Sequence, residues 1–184
     1  IMTIRNGFFW ADFFVNVFKP QIDILKECLI RKVLPSFDTI KKEAEEIEEK
    51  EFKRLCDLPT ADDSGVMSEI AEKAKDKGVD YYVLMSDMKN DLVSLFCVAL
   101  YHLFEQHIFM FYKKEILDPS EDNNPKYMNW GELLKRFSAI GIDLESLSSY
   151  KDINVLRLIA NTVKHGEGPS AEELRKVRSG YFKY

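Results

Sequence analysis

The chain has 184 residues, 46% hydrophobic and 31% charged, with a net charge of −5. That composition suits one soluble domain that buries its own core, and the net negative charge excludes a general nucleic-acid binder. The charge is uneven, because residues 157–184 carry +3 and the preceding residues carry −8; a locally basic end on an acidic chain can draw a phosphate-bearing ligand to one place.

In chain order, nearly every segment has helical periodicity, and no pair of alternating runs is joined by a hairpin turn. The aromatic start, Phe8 to Phe18, contains Asp12 and Asn16 and lacks a small-residue cleavage site, so it is read as helix and not as a signal peptide. A first helix over about 8–33 is expected to bend at Pro20, where the ring removes a donor and crowds the preceding turn. Pro35 restarts the chain, and 36–56 is helical with its Glu-rich stretch, Glu43 to Glu51, in water. Asp57 to Gly65 is a loop. A short helix over about 66–76 is expected to end at Lys77-Gly78.

The longest element runs from about Asp80 to Leu117. Its centre is apolar nearly all round, which predicts a helix buried on several sides. Leu92 to Tyr112 is long enough to span a membrane, but His102, Glu105, Gln106 and His107 inside it would be costly in lipid, so no membrane partner is expected. A loop over Asp118–Asn129 leads to a helix over about 130–139, then to a short turn near 143–148. A helix over about 151–165 stops at Gly166, and Ser170 with Glu173 reads as a capping box for a last short helix. The three cysteines, Cys28, Cys56 and Cys97, are widely spaced in helical patterns without a CxxC, which predicts buried free thiols in a reducing cytoplasm. The whole reads as one all-α domain, an irregular helical bundle.

The chemistry-bearing segment is Arg157 to Gly166. Arg157, Asn161 and His165 stand at i, i+4 and i+8, so a guanidinium, an amide and an imidazole share one helical strip with Lys164 beside them. Val155, Leu156, Leu158, Ile159 and Val163 supply the apolar face. Such a set can hold a phosphate and move a proton. It is also what the solvent face and basic last turn of an ordinary amphipathic helix contain. On the long helix, Tyr101, His102 and Glu105 fall within one turn, and Glu105 is either part of the site or a structural ion-pair partner. His102-x-x-Glu105 reverses the order used by di-iron bundles and occurs once, so no metal or other cofactor is expected. Gly166-x-Gly168 follows a helix, which excludes a P-loop nucleotidase.

A central helix with an internal Glu, a loop, and a helix ending in Asn161-x-x-x-His165-Gly166 resembles the HEPN superfamily of small all-α bundles. The resemblance covers about 90–180, with the helices over about 8–77 as an N-terminal extension. It implies a metal-independent ribonuclease with His165 as general base on a ribose 2′-hydroxyl and Arg157 and Lys164 on the phosphate. Asn161 would orient the reacting groups and Glu105 would fix the imidazole tautomer. It further implies a toxin or phage-defence role, a homodimer, and an RNA, nucleotide or antitoxin partner. One departure stands out: the positions with the family spacing are Leu158, Ile159 and Ala160, and Arg157 lies further from His165. A non-catalytic interaction or nucleotide-sensing module with the same fold is therefore the alternative.

Overall fold

The computed structural model describes residues 6–58, 66–121 and 124–182. Their regular elements are all helical, with no strand among the described residues, so the fold is all-α. Two compact units divide the chain: Ile1–Lys26 with Ser94–Tyr184, and Glu27–Val93. The sequence expectation drew a core over about 90–180 and an extension over about 8–77; here residues 1–26 group with the C-terminal part.

The first unit opens with α1 (Gly7–Phe13), a π-helical turn over Phe14–Phe18, and α2 (Lys19–Cys28). The helical ladder widens at Pro20. Lys19, just before the proline, donates its amide to Phe14 O, five residues back, and this wide turn relieves the crowding that a proline imposes on an α-helical ladder. The same device recurs in the second unit, where Leu34 before Pro35 donates to Leu29 O and closes a π turn over Leu29–Val33.

Aromatic packing holds the first unit. Trp10, Phe111, Tyr112, Ile116, Leu117, Leu133 and Phe137 form its main core cluster. Trp10 meets Phe111 edge-on at 5.2 Å, and Phe137 stacks on Tyr112 at 6.3 Å, geometries favoured by the ring quadrupoles. Leu133 and Phe137 lie on α5 (Trp130–Ala139), which starts cleanly because the Asn129 side chain accepts the Glu132 amide at 3.0 Å. Arg136 grips Glu121 through two hydrogen bonds of 2.8 and 3.1 Å, fastening the preceding loop. Asp122 and Asn123 of that loop lie outside the described residues.

In the second unit, α3 (Ile40–Cys56) runs antiparallel to the first half of α4 (Val66–Glu115). Contrary to the sequence expectation, Gly78 does not end a helix. It is buried in mid-α4, and a Cβ there would sit 2.9 Å from Ala44 O and 3.1 Å from Glu48 Cβ. Absence of a side chain lets the two backbones approach; Ala44 and Ala74 line the same seam. Tyr81 donates to Glu43 across it at 2.5 Å. The predicted loop over 57–65 lies mostly outside the described residues.

The expectation that the apolar centre of α4 is enclosed on several sides is not met. Through its most apolar stretch Tyr101 is buried, while its neighbours are half-buried or exposed and Leu95 is 55% exposed. By length and composition α4 is the one helix among the described residues that could cross a membrane. It nevertheless carries Glu105, Gln106 and two histidines in that stretch. The thiols also differ from expectation: Cys28 and Cys97 are half-buried, but Cys56 is exposed on the last turn of α3.

A 3-10 turn over Leu144–Ser146 leads to α6 (Tyr150–His165), and α7 (Pro169–Val177) folds back on it through Val155, Leu158 and Leu174. The predicted capping box does not form. Pro169 occupies the first turn of α7, Gly168 flanks it, and no side chain caps the end, because proline at that position is already set for a helix and has no amide to satisfy. Gly166 turns the chain at φ +70° with its amide on Thr162 O at 2.8 Å. Replacing it with alanine meets no atom within 4 Å, so only the positive φ is penalised. Gly166→Ala should cost about 1–3 kcal/mol, read as a lower urea midpoint with an unchanged m-value.

Candidate functional site

α6 has two buried sides. Val155 and Leu158 face α7, while Ala160, fully buried, lies roughly opposite Leu158. Val163, expected on the apolar face, is instead 40% exposed beside Lys164; covering both flanks of the earlier turns leaves the last turn projecting. The strip between holds the residues singled out from the sequence. Arg157 and Asn161 are half-buried, and Lys164 and His165 are exposed in the final turn.

Arg157 is the best-anchored of them. Its Nε and Nη2 both donate to Asn154 Oδ1, at 3.0 and 2.9 Å, and Nη2 lies 3.9 Å from Glu173 of α7. Glu173, the expected capping residue, therefore faces this guanidinium. The distance is long and Glu173 is half exposed, so the pair adds little stability. What it and Asn154 determine is direction: the guanidinium folds back toward the start of α6, away from His165. Eight residues of helix put the two roots roughly 12 Å apart along the axis.

Two tyrosines, Tyr101 of α4 and Tyr150 at the start of α6 itself, also feel this charge. Tyr101 of α4 is 2% exposed. Burial, then the Glu105 carboxylate to which its hydroxyl donates, push its pKa up, against the opposing pull of Arg157. The Tyr150 hydroxyl donates to Glu145 at 3.1 Å. Burial raises its pKa, while the Trp130 indole donating to it and the Arg157 charge act in the opposite sense. Arg157 thus bonds Asn154 of its own helix, faces Glu173 of α7, and extends its charge to Tyr101 of α4.

Besides Tyr101, the partner of Glu105 is His102, whose Nδ1 lies 3.8 Å from Oε2. Gln106 Nε2 donates to His102 Nε2 at 3.0 Å, so the His102 proton sits on Nδ1 and points toward Glu105. No contact joins Glu105 to His165. His107 is structural: its Nε2 donates to Gln21 at 2.8 Å, its ring meets Phe13 and Phe18 edge-on, and burial lowers its pKa.

The structure therefore brings Arg157 together with Asn154, Glu173, Tyr101 and Tyr150, and it separates Glu105 and Arg157 from the imidazole of the motif. Asn161, Lys164 and His165 make no side-chain hydrogen bond or ion pair. Asn154 was missed from the sequence although its spacing of three from Arg157 was visible. Tyr150 was likewise visible two turns before Arg157 on the same helix, whereas Glu173 carried no signal, since its approach depends on how α7 packs on α6. Comparison with known proteins adds no family: no protein-family description, curated protein or solved structure matches this chain.

Proposed function

We propose that this chain is a non-catalytic, HEPN-like interaction module whose exposed last turn of α6 binds a phosphate-bearing ligand, RNA or a nucleotide. The observation that carries this reading is the fork of Arg157 on Asn154. A guanidinium held there stands too far from His165 for both to serve one reacting phosphate, a geometry that acid–base catalysis requires to within hydrogen-bond reach. Binding needs less. Lys164 supplies a charge in water, the helical strip supplies the Asn161 amide, and the surrounding residues 157–184 are net basic.

A second reading is a metal-independent ribonuclease, and the unpaired state of Asn161, Lys164 and His165 favours it. In a homodimer that sets two copies of α6 face to face, Arg157 of one copy could serve His165 of the other. A toxin or defence role in the cytoplasm, with an antitoxin as partner, would follow from that chemistry.

The two readings separate in one assay. Wild type, Lys164→Ala and His165→Ala are incubated with total RNA in excess EDTA, and binding is followed against salt. We expect intact RNA throughout, and in Lys164→Ala a several-fold weaker association whose salt slope falls by about one. Cleavage by wild type that leaves 2′,3′-cyclic ends and vanishes in His165→Ala would instead establish the ribonuclease.

A further inference from the structure

Between α4 and the start of α5, within the first unit, lies an open groove of about 370 Å³ lined by Glu105, Gln106, Phe109, Met128, Asn129 and Trp130. Its polar groups are not equivalent. The Asn129 side chain is already engaged: it accepts the Glu132 amide and donates to Lys126 O at 2.7 Å. The Gln106 amide nitrogen is committed to His102. The Gln106 carbonyl oxygen keeps its acceptor capacity, and Glu105 adds a charge. The Glu105 side chain is 33% exposed; it accepts from the Tyr101 hydroxyl, and the histidine nitrogen facing it stands off at 3.8 Å, which leaves lone pairs of the carboxylate for a further donor.

The rest of the lining is soft and aromatic. Trp130 is steadied from behind by Phe104, edge-on at 6.1 Å, and Phe109 by Tyr112, edge-on at 6.0 Å. Aromatic rings beside one carboxylate repel phosphate and attract a weakly hydrated cation that can stack. Among protein groups that description fits the guanidinium better than the compact, strongly hydrated ammonium of lysine.

We propose that this groove is a docking site for an arginine side chain of a protein partner, with the guanidinium on the Glu105 carboxylate and its plane against the Trp130 ring. The occupant is chain-borne because the groove lining holds no cation for the carboxyl group of a free amino acid. The site does not depend on whether α6 binds or cleaves RNA.

The test follows the Trp130 indole N–H signal by NMR, assigned with Trp130→Phe, while wild-type protein is titrated with an acetylated and amidated Gly-Gly-Arg-Gly-Gly peptide. The controls are the same peptide with citrulline, which keeps the shape and loses the charge, and free arginine. We expect a saturable shift with the arginine peptide, at least tenfold weaker binding of the citrulline peptide, and weaker binding of free arginine than of the peptide. Glu105→Gln, with an unchanged melting temperature, should lose the same tenfold. An unmoved indole at millimolar peptide, or equal binding of the citrulline peptide, overturns the proposal. Free arginine binding as well as the peptide overturns the partner assignment. Since the decisive controls use wild-type protein, misfolding of the variant cannot mask the answer.

Discussion

Trp10→Ala should cost about 3–5 kcal/mol, the range for truncating a buried aromatic, and a large part of the 5–15 kcal/mol that holds a typical domain together. Trp10 is 6% exposed. Its ring packs against Phe13, Phe14 and Phe111, and its indole nitrogen donates to Glu115 Oε1 at 2.7 Å. Truncation opens a cavity and removes a short charge-assisted bond from a carboxylate that is itself 8% exposed. Trp10→Phe separates the two effects. It keeps most of the ring packing and loses the bond, so it should cost roughly 1.5–3 kcal/mol, the usual range for hydrogen bonds to charged groups. Urea denaturation checks both, with the midpoint falling in that order. A Trp10→Phe variant as stable as wild type would show that the other contacts of Glu115, those of Asn6 at 3.3 and 3.4 Å among them, suffice without the indole.

Gly78 gives the second large effect, and its sign runs against helix propensity. In an open helix, Gly→Ala gains about 1 kcal/mol. Here the new methyl would stand 2.9 Å from the Ala44 carbonyl oxygen, and a backbone atom within a helix cannot swing aside. Gly78→Ala should therefore destabilise, and Gly78→Leu should cost at least 1–3 kcal/mol by overpacking. Hydrogen exchange would report it where it acts, as lost amide protection in α3 and the first half of α4. If Gly78→Ala were stabilising, the close approach of the two helices would be wrong.

The all-α class was legible because periodicity near 3.6 runs through almost the whole chain, and the ends of α5 and α6 carried ordinary local signals. Two glycines show where such reading fails. Gly166 and Gly78 look alike in sequence, each following a basic residue, His165 or Lys77, at a plausible helix end. One terminates a helix at positive φ; the other continues a helix because a neighbouring backbone needs the space. Only tertiary contact distinguishes them. The two prolines also differ: a wide turn before Pro20 leads straight into α2, whereas at Pro35 the helix gives way to a 3-10 turn over Leu34–Phe37 before α3 restarts the chain.

The candidate site was half legible. Spacing correctly put Arg157, Asn161 and His165 on one strip of one helix. It could not say where a long side chain spends its hydrogen bonds, and Arg157 spends two on Asn154. Glu105 was recognised as unusual in an apolar helix, but its neighbours are Tyr101 and His102 on its own helix, together with a groove built by residues 128–130.

The fork at Asn154 also makes α6 easy to retune. A single carboxamide oxygen parks the strongest cation on this strip, so Asn154→Ala or Asn154→Leu would unlatch the guanidinium without touching any group meant for a ligand. The tether, one turn away from its cargo, thereby becomes the dial for how much positive potential the strip shows to an incoming anion. Drift at that one position could alter the helix's appetite for phosphate while leaving its recognisable motif letter for letter the same.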